Sequence, residues 1–433
     1  MNSNQLVRQL KITRQGRKMY YIGIDVAKNF HVVSAIDENE IKVVSKPFRI
    51  ENSTDGFKKL LTVLNSISLD KKEFLIGLEA TGIYGENLLE YLISNGYSVK
   101  LLNPFQTSRY REQVTMKKVK NDNIDSLVIA LFLKDGKYSS GYVTDDEYQS
   151  LRTLYRNRVS IQRDIKEIKK RILTQITVTF PEFEGFINPF TISGLALLDK
   201  YPTAHHYKHS SVDRIMKLFR HIQGNNFNHE KALKLLSLAK DSIYSGKAKD
   251  ARAIAIKSSI RLLKTYQSEL DILESEISSL LDNKGITNSV DEVGQDIDNN
   301  NSLIANLKTI PGVSEKTISA VISECGDLTR FPTIAKFIGY LGLFPTENSS
   351  DNSQRTGHLS KRGSPLAKHA LYMSASSCLI HNKQLKQLYD TKRSQGKSKK
   401  EGIIAVSRKL ATIIYSIFKY NIPYDPNRVF AKS

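Results

Sequence analysis

The chain has 433 residues, of which 40% are hydrophobic and 25% charged, and a formal net charge of +20. That length suffices for roughly two or three domains with a full core, and no apolar run reaches the ~18 residues of a membrane span, which excludes a membrane-spanning class. Cys325 and Cys378 give neither C-x-x-C spacing nor a disulfide framework, and no apolar core follows the basic stretch Met1 to Lys18. The chain therefore reads as a soluble protein of a reducing cytoplasm without a signal peptide.

Residues 19–146 alternate apolar strands with amphipathic helices. The pattern predicts strands at 20–26, 30–36, 41–49, 73–80 and 97–103, and helices at 54–67, 84–95, 104–116 and 123–134. Three leading strands followed by alternating helix and strand imply a mixed sheet covered by helices on both faces. Two predicted strands carry a carboxylate inside an apolar run: Asp25 in Tyr20-Tyr21-Ile22-Gly23-Ile24-Asp25-Val26, and Glu79 in Phe74-Leu75-Ile76-Gly77-Leu78-Glu79. Asp122 and Asp125 stand three apart where a helix begins, so they share one face. A charge in a central strand is costly to bury unless it is paired or metal-bound. The simplest account of all four is a Mg²⁺ site of hard carboxylate oxygens acting on phosphate.

Residues 147–283 change character. Ile161, Ile165, Ile168 and Ile172 form one apolar seam; Leu263, Tyr266, Leu270, Leu273, Ile277 and Leu280 form a second, at 3-4-3-4-3 spacing. The seams fit an antiparallel hairpin within one chain or a coiled coil between chains, and spacing does not choose. Between them, 179–250 reads as short helices. The run Thr203-Ala204-His205-His206-Tyr207-Lys208-His209 lacks partner ligands at zinc-like spacing and reads as a polar loop. The Asn- and Asp-rich stretch 284–304 reads as a linker.

The last domain is expected over 305–425. Ile310-Pro311-Gly312-Val313 before an amphipathic helix resembles a helix-hairpin-helix element, which presents backbone N–H groups to DNA phosphate. Gly342-Leu343-Phe344-Pro345 leads into a polar loop, Thr346 to Ser353, and then Ser360-Lys361-Arg362-Gly363 at a helix entrance, suited to clamping phosphate. Composition alone singles out no serine in that loop. From Arg330 to Ser433 there are 18 Lys and Arg against 5 Asp and Glu, so about a quarter of the chain holds most of the positive excess. The bland reading is a basic, solvated surface; beside the acidic site, a nucleic-acid partner is the stronger one.

In order along residues ~19 to ~420, Gly23-Ile24-Asp25-Val26-Ala27-Lys28, Leu78-Glu79-Ala80-Thr81-Gly82, Asn103-Pro104, Lys120-Asn121-Asp122-Asn123-Ile124-Asp125, Ile310-Pro311-Gly312-Val313, Gly342-Leu343-Phe344-Pro345 and Ser360-Lys361-Arg362-Gly363 resemble the DEDD transposases of bacterial insertion sequences, a family that includes pilin-gene invertases. The resemblance implies an RNase H-like (RuvC-like) α/β domain, a coiled-coil middle and a mainly helical C-terminal domain. It implies that Asp25, Glu79, Asp122 and Asp125 bind Mg²⁺ and that a C-terminal serine is the nucleophile on DNA. Counted from Pro345, that serine is Ser350, with Ser349 as rival because Asp351 replaces the family's usual Gly. Arg355, Lys361 and Arg362 are the cations expected to neutralise the phosphate. The resemblance further implies donor and target DNA as partners, a structured non-coding guide RNA, a homodimer or homotetramer, and a bacterial cytoplasmic, nucleoid-associated setting. Two other classes compete: a hydrolytic RuvC-like junction endonuclease without a serine intermediate, and a non-catalytic nucleic-acid-binding derivative.

Overall fold

A computed structural model of the chain describes residues 18–79, 82–115, 122–138, 141, 145–220, 222, 227–282, 303–350 and 353–430, with the backbone alone at 115, 346–350 and 353–358. The described residues up to 141 form one compact unit and those from 145 another.

The first unit is built on a five-stranded sheet of order β3-β2-β1-β4-β5. Its strands are β1 (Tyr20–Val26), β2 (Phe30–Asp37), β3 (Phe48–Glu51), β4 (Phe74–Glu79) and β5 (Ser98–Leu102). β1 to β3 form an antiparallel meander, whereas β4 and β5 run parallel to β1, giving the expected mixed sheet. The strand expected at 41–49 is only the four-residue β3; upstream of it, Lys42 makes one isolated bridge to Ile36. Lys42, Ser45 and Lys46 leave that stretch too polar to cover a sheet edge.

Alternation along β1 gives the sheet two different faces. Ile22 and Ile24, with Val33, Ile50, Ile76 and Leu78, form one core with α1 (Thr54–Ile67) and α2 (Glu86–Ser94). The opposite face carries Gly23 and Gly77, and α4 (Asp122–Asp135) lies directly on it. A Cβ on Gly23 would stand 2.0 Å from the Ser126 carbonyl oxygen, so only glycine admits the helix this close. Buried Ser34 and Ser126 join their hydroxyls across the contact at 2.8 Å. α3 (Pro104–Thr115) precedes α4; it starts on Asn103, whose side chain accepts from the Phe105 amide, with Pro104 at the first helical position.

His31 of β2 is fully buried, 6.2 Å from the Phe57 ring centroid, and burial lowers its pKa from the ordinary 6.5. The unfolded chain thus takes up a proton that the folded domain resists, so this stabilisation is present above pH 6.5 and is lost as pH falls through the folded value. Thermal melts from about pH 7.5 down to about pH 5 should show falling stability, and His31→Leu should flatten the slope. Identical slopes in the two proteins would refute the assignment.

In the second unit, α5 (Asp146–Thr179) and α11 (Lys249–Asp282) are 34-residue helices carrying the two seams. Arg252 donates to Gln175 and Arg158 pairs with Glu274, so the helices run antiparallel. Of the two arrangements that spacing left open, the structure displays the hairpin within one chain. At one end of the hairpin, five short helices, α6 (Glu182–Phe186), α7 (Ile192–Lys200), α8 (Ala204–Lys208), α9 (Val212–Phe219) and α10 (His229–Lys240), enclose a core of Ile168, Ile172, Ile176, Phe180, Tyr207, Ile256 and Ile260. The histidine run expected as a loop is in fact mostly α8, because buried Ala204 and Tyr207 anchor one face of a helical turn. His206 bonds Thr203 and His205 bonds Lys249, so these rings serve packing.

At its other end the hairpin shares a core with the C-terminal helices: Tyr148, Leu151, Tyr155, Ile277 and Leu281 join Ile318, Val321, Leu371 and Leu410. These helices are α12 (Leu303–Lys308), α13 (Glu315–Cys325), α14 (Ile334–Leu341), α15 (Pro365–His381), α16 (Lys383–Ser394) and α17 (Lys399–Tyr420). Buried Glu324 of α13 receives two hydrogen bonds from Arg156 of α5, at 2.8 and 3.0 Å. The linker expected at 284–304 lies outside the described residues up to 302, and 303–304 already belong to α12.

Candidate active site and nucleic-acid interface

The register of the two central parallel strands sets the first half of the site. Ile24 pairs with Leu78, so Asp25 and Glu79 follow on neighbouring strands at their carboxyl ends, on the α4 side of the sheet. The second half comes with α4, whose first turn carries Asp122 and Asp125. All four carboxylates line one cleft of about 420 Å³, together with Val26, Ala27, Thr107, Ser108, Arg111, Val128 and Ile129. The carboxylates are partly exposed, as a site open to a ligand requires.

Two residues that sequence reasoning passed over hold this arrangement. Thr107 donates to Glu79 Oε1 at 2.8 Å, and Arg111 donates to Asp125 Oδ1 at 2.9 Å. They stand four apart on α3, so one helical face serves two of the four carboxylates. The sequence offered a signal for the glycines as well: Gly23-x-Asp25 and Gly77-x-Glu79 place a glycine on the same strand face as each acid.

Among the described residues, no three His, Cys, Asp or Glu side chains stand close enough together to hold a metal ion as they are. The donor set nevertheless fits a hard divalent cation, since four carboxylates line one cleft. Asp25, Glu79, Asp122 and Asp125 are the residues that would hold it.

The expected polar loop at 346–353 is instead mostly a two-stranded ribbon of β6 (Pro345–Ser350) and β7 (Ser353–Leu359). Antiparallel pairing satisfies the backbone of this polar stretch where its side chains offer no core. Ser350 pairs with Ser353, Ser349 with Gln354 and Asn348 with Arg355. Positions 348, 350, 353 and 355 therefore share one face of the ribbon, while 349 and 354 belong to the other.

Lys361 and Arg362 are exposed on the turn at the base of the ribbon, where Ser360 donates to the Phe344 carbonyl. Gly342 and Gly363, both at positive φ, interlock there, and Lys368 donates to the carbonyls of Ser360 and Arg362. Five strand residues at about 3.3 Å each put the base about 16 Å from Ser350 along the ribbon.

The Pro311-Gly312 turn joins two helices as expected. It packs on α15, where a Cβ on Gly312 would stand 2.8 Å from the Cys378 Cα, and Ser374 bonds the Gly312 carbonyl. The amides of Thr309, Ile310 and Val313 are spent on Asn306, Leu307 and Ile310 carbonyls. Beyond the turn, α13 is buried throughout Thr317–Cys325.

A mixed sheet with acids at the carboxyl ends of its central parallel strands, and more acids on a helix crossing it, defines a RuvC-like DEDD domain, here followed by a helical C-terminal region. Residues 22–181 match the DEDD transposase model of the IS110 group, and residues 304–390 match the model described as the transposase IS116/IS110/IS902 family. The chain belongs to the IS110 family of transposases. It is 23% identical over 407 residues to the pilin gene-inverting protein of Moraxella bovis, covering 94% of this chain and 97% of that protein. The 43.6 kDa protein of insertion element IS110 from Streptomyces coelicolor is 29% identical over 119 residues, covering 28% of this chain and 29% of the relative. The transposase for insertion sequence element IS1111A from Coxiella burnetii is 27% identical over 114 residues, covering 26% and 31%. Among the described residues, no helix is long and apolar enough to cross a membrane.

Proposed function

We propose that this transposase cuts and rejoins DNA by Mg²⁺-dependent chemistry through a phosphoserine intermediate, with an element-encoded non-coding RNA choosing the sites. The observation that carries the reading is the meeting of Asp25, Glu79, Asp122 and Asp125 in one cleft. Mg²⁺ held there would supply Lewis-acid polarisation of the phosphate and lower the pKa of an attacking oxygen. Ser350 is the nucleophile: its oxygen bonds to phosphorus, one bridging P–O bond breaks, and the released strand leaves as a hydroxyl that takes up the serine proton. Attack by another strand's hydroxyl reverses the exchange, restores the serine and needs no external energy source.

Ser350 is preferred to Ser349 because it shares its ribbon face with position 355, which puts Arg355 in register to neutralise the same phosphate. Lys361 and Arg362, at the ribbon base, are assigned to DNA backbone several nucleotides away. The name of the Moraxella relative describes inversion of a pilin gene, which supports site-specific recombination as the reaction class. Guide RNA and DNA both fit a chain of net charge +20, since phosphate contacts carry no sequence information. A homodimer or homotetramer would let one protomer's serine work with another's carboxylates.

The test mixes purified protein with RNA from the element's flank, end-labelled donor and target DNA, and Mg²⁺. A protein–DNA adduct should survive denaturing electrophoresis in the native protein and Ser349→Ala, and vanish in Ser350→Ala. Cleavage with no adduct, unaffected by either serine substitution, would replace this reading with a hydrolytic endonuclease.

A further inference from the structure

The acidic cleft carries its own cation. Arg111 Nη1 lies 2.9 Å from Asp125 Oδ1, with the two side chains 27% and 14% exposed. A carboxylate oxygen engaged by guanidinium is a poorer metal ligand, and a positive charge in the same cleft repels a divalent cation. The pair is partly solvated, so separating it is inexpensive compared with breaking a buried one. Guanidinium also presents the planar fork that matches phosphate as well as carboxylate. One turn back on the same face, Thr107 holds Glu79 without adding charge, so α3 braces one acid and neutralises another.

We propose that Arg111 is a mobile counter-ion of the cleft, competing with the divalent metal for Asp125 and, once displaced, turning to the non-bridging oxygens of the bound phosphate. The inference rests on the metal-binding reading given above. It couples metal loading to substrate recognition: before loading, the guanidinium keeps Asp125 in place, and after loading it faces the phosphate. The consequence is a pair of effects with opposite signs, tighter metal binding and poorer DNA cleavage when Arg111 is removed. A residue that merely supports the fold would weaken both.

The experiment titrates the full chain with Mn²⁺ by calorimetry, alone and as Arg111→Gln, Arg111→Met and Asp122→Asn, with DNA cleavage measured in parallel. Both Arg111 variants should bind Mn²⁺ about five-fold tighter and cleave at about 1% of the native rate. Arg111→Met retains the aliphatic stem and carries the test should Arg111→Gln fail to fold. Equal or weaker Mn²⁺ binding in the folded Arg111 variants would overturn the counter-ion role, and loss of Mn²⁺ in Asp122→Asn would leave the metal site itself standing. No Mn²⁺ uptake by the native chain would remove both.

Discussion

Asp122→Asn is expected to lower DNA strand cleavage by about 10³-fold or more while the protein stays folded. Asp122 opens α4 and is one of four carboxylates in a cleft of about 420 Å³. The amide keeps the size of the side chain but removes its charge, so a cation held there would lose a ligand without a hole appearing in the core. Clustered like charges repel one another when no metal balances them, so the melting temperature without metal should hold steady or rise. Cleavage assays and thermal melts on one preparation separate the outcomes. Native-level cleavage by Asp122→Asn, and likewise by Asp25→Asn, would show that the cleft is not where DNA is cut.

The second large effect is expected from a single methyl group. In Gly23→Ala the new carbon would stand 2.0 Å from the Ser126 carbonyl oxygen and 2.5 Å from the Ala130 amide nitrogen, both backbone atoms of α4. Neither atom can rotate aside, so the helix must move, at a cost at the upper end of the ~1–3 kcal/mol typical of overpacking. Because Asp122 and Asp125 ride on α4, a shift of about 1 Å would also cost roughly 100-fold in rate. Gly77→Ala is the informative contrast: the atoms nearest its methyl belong to the Leu133 side chain, at 2.6 Å, which can change rotamer. Melting and cleavage should therefore suffer much more in Gly23→Ala than in Gly77→Ala. Equal losses would mean that helix position does not control the site.

The sequence alone determined the parts of this protein in which local pattern and burial agree. β1 begins and ends where the apolar run Tyr20 to Val26 does, and α1 spans the expected 54–67, because each element reports its own periodicity. Asp25 and Glu79 stand out because a carboxylate within an apolar strand is conspicuous, and Asp122 and Asp125 because three-residue spacing puts them on one helical face. β3 was overestimated because valines in 41–49 resemble a strand, although no partner strand pairs with most of the stretch. The ribbon of β6 and β7 was hidden because its residues are polar and its pairing is between backbones, which side-chain pattern does not record.

Only the tertiary structure decided how the pieces meet. Parallel register of β1 with β4 brings Asp25 beside Glu79 across more than fifty residues of chain, and two glycines let α4 descend far enough to complete the cleft. Thr107 and Arg111 acquire roles only there, since neither an exposed-looking threonine nor an arginine on a polar helix announces a carboxylate partner. The seams likewise became an intrachain hairpin through Arg158–Glu274 and Arg252–Gln175, contacts between residues 116 and 77 positions apart. Sequence encodes which faces must be buried; three-dimensional packing selects the partner, because apolar surface gains nearly the same free energy against any complementary face.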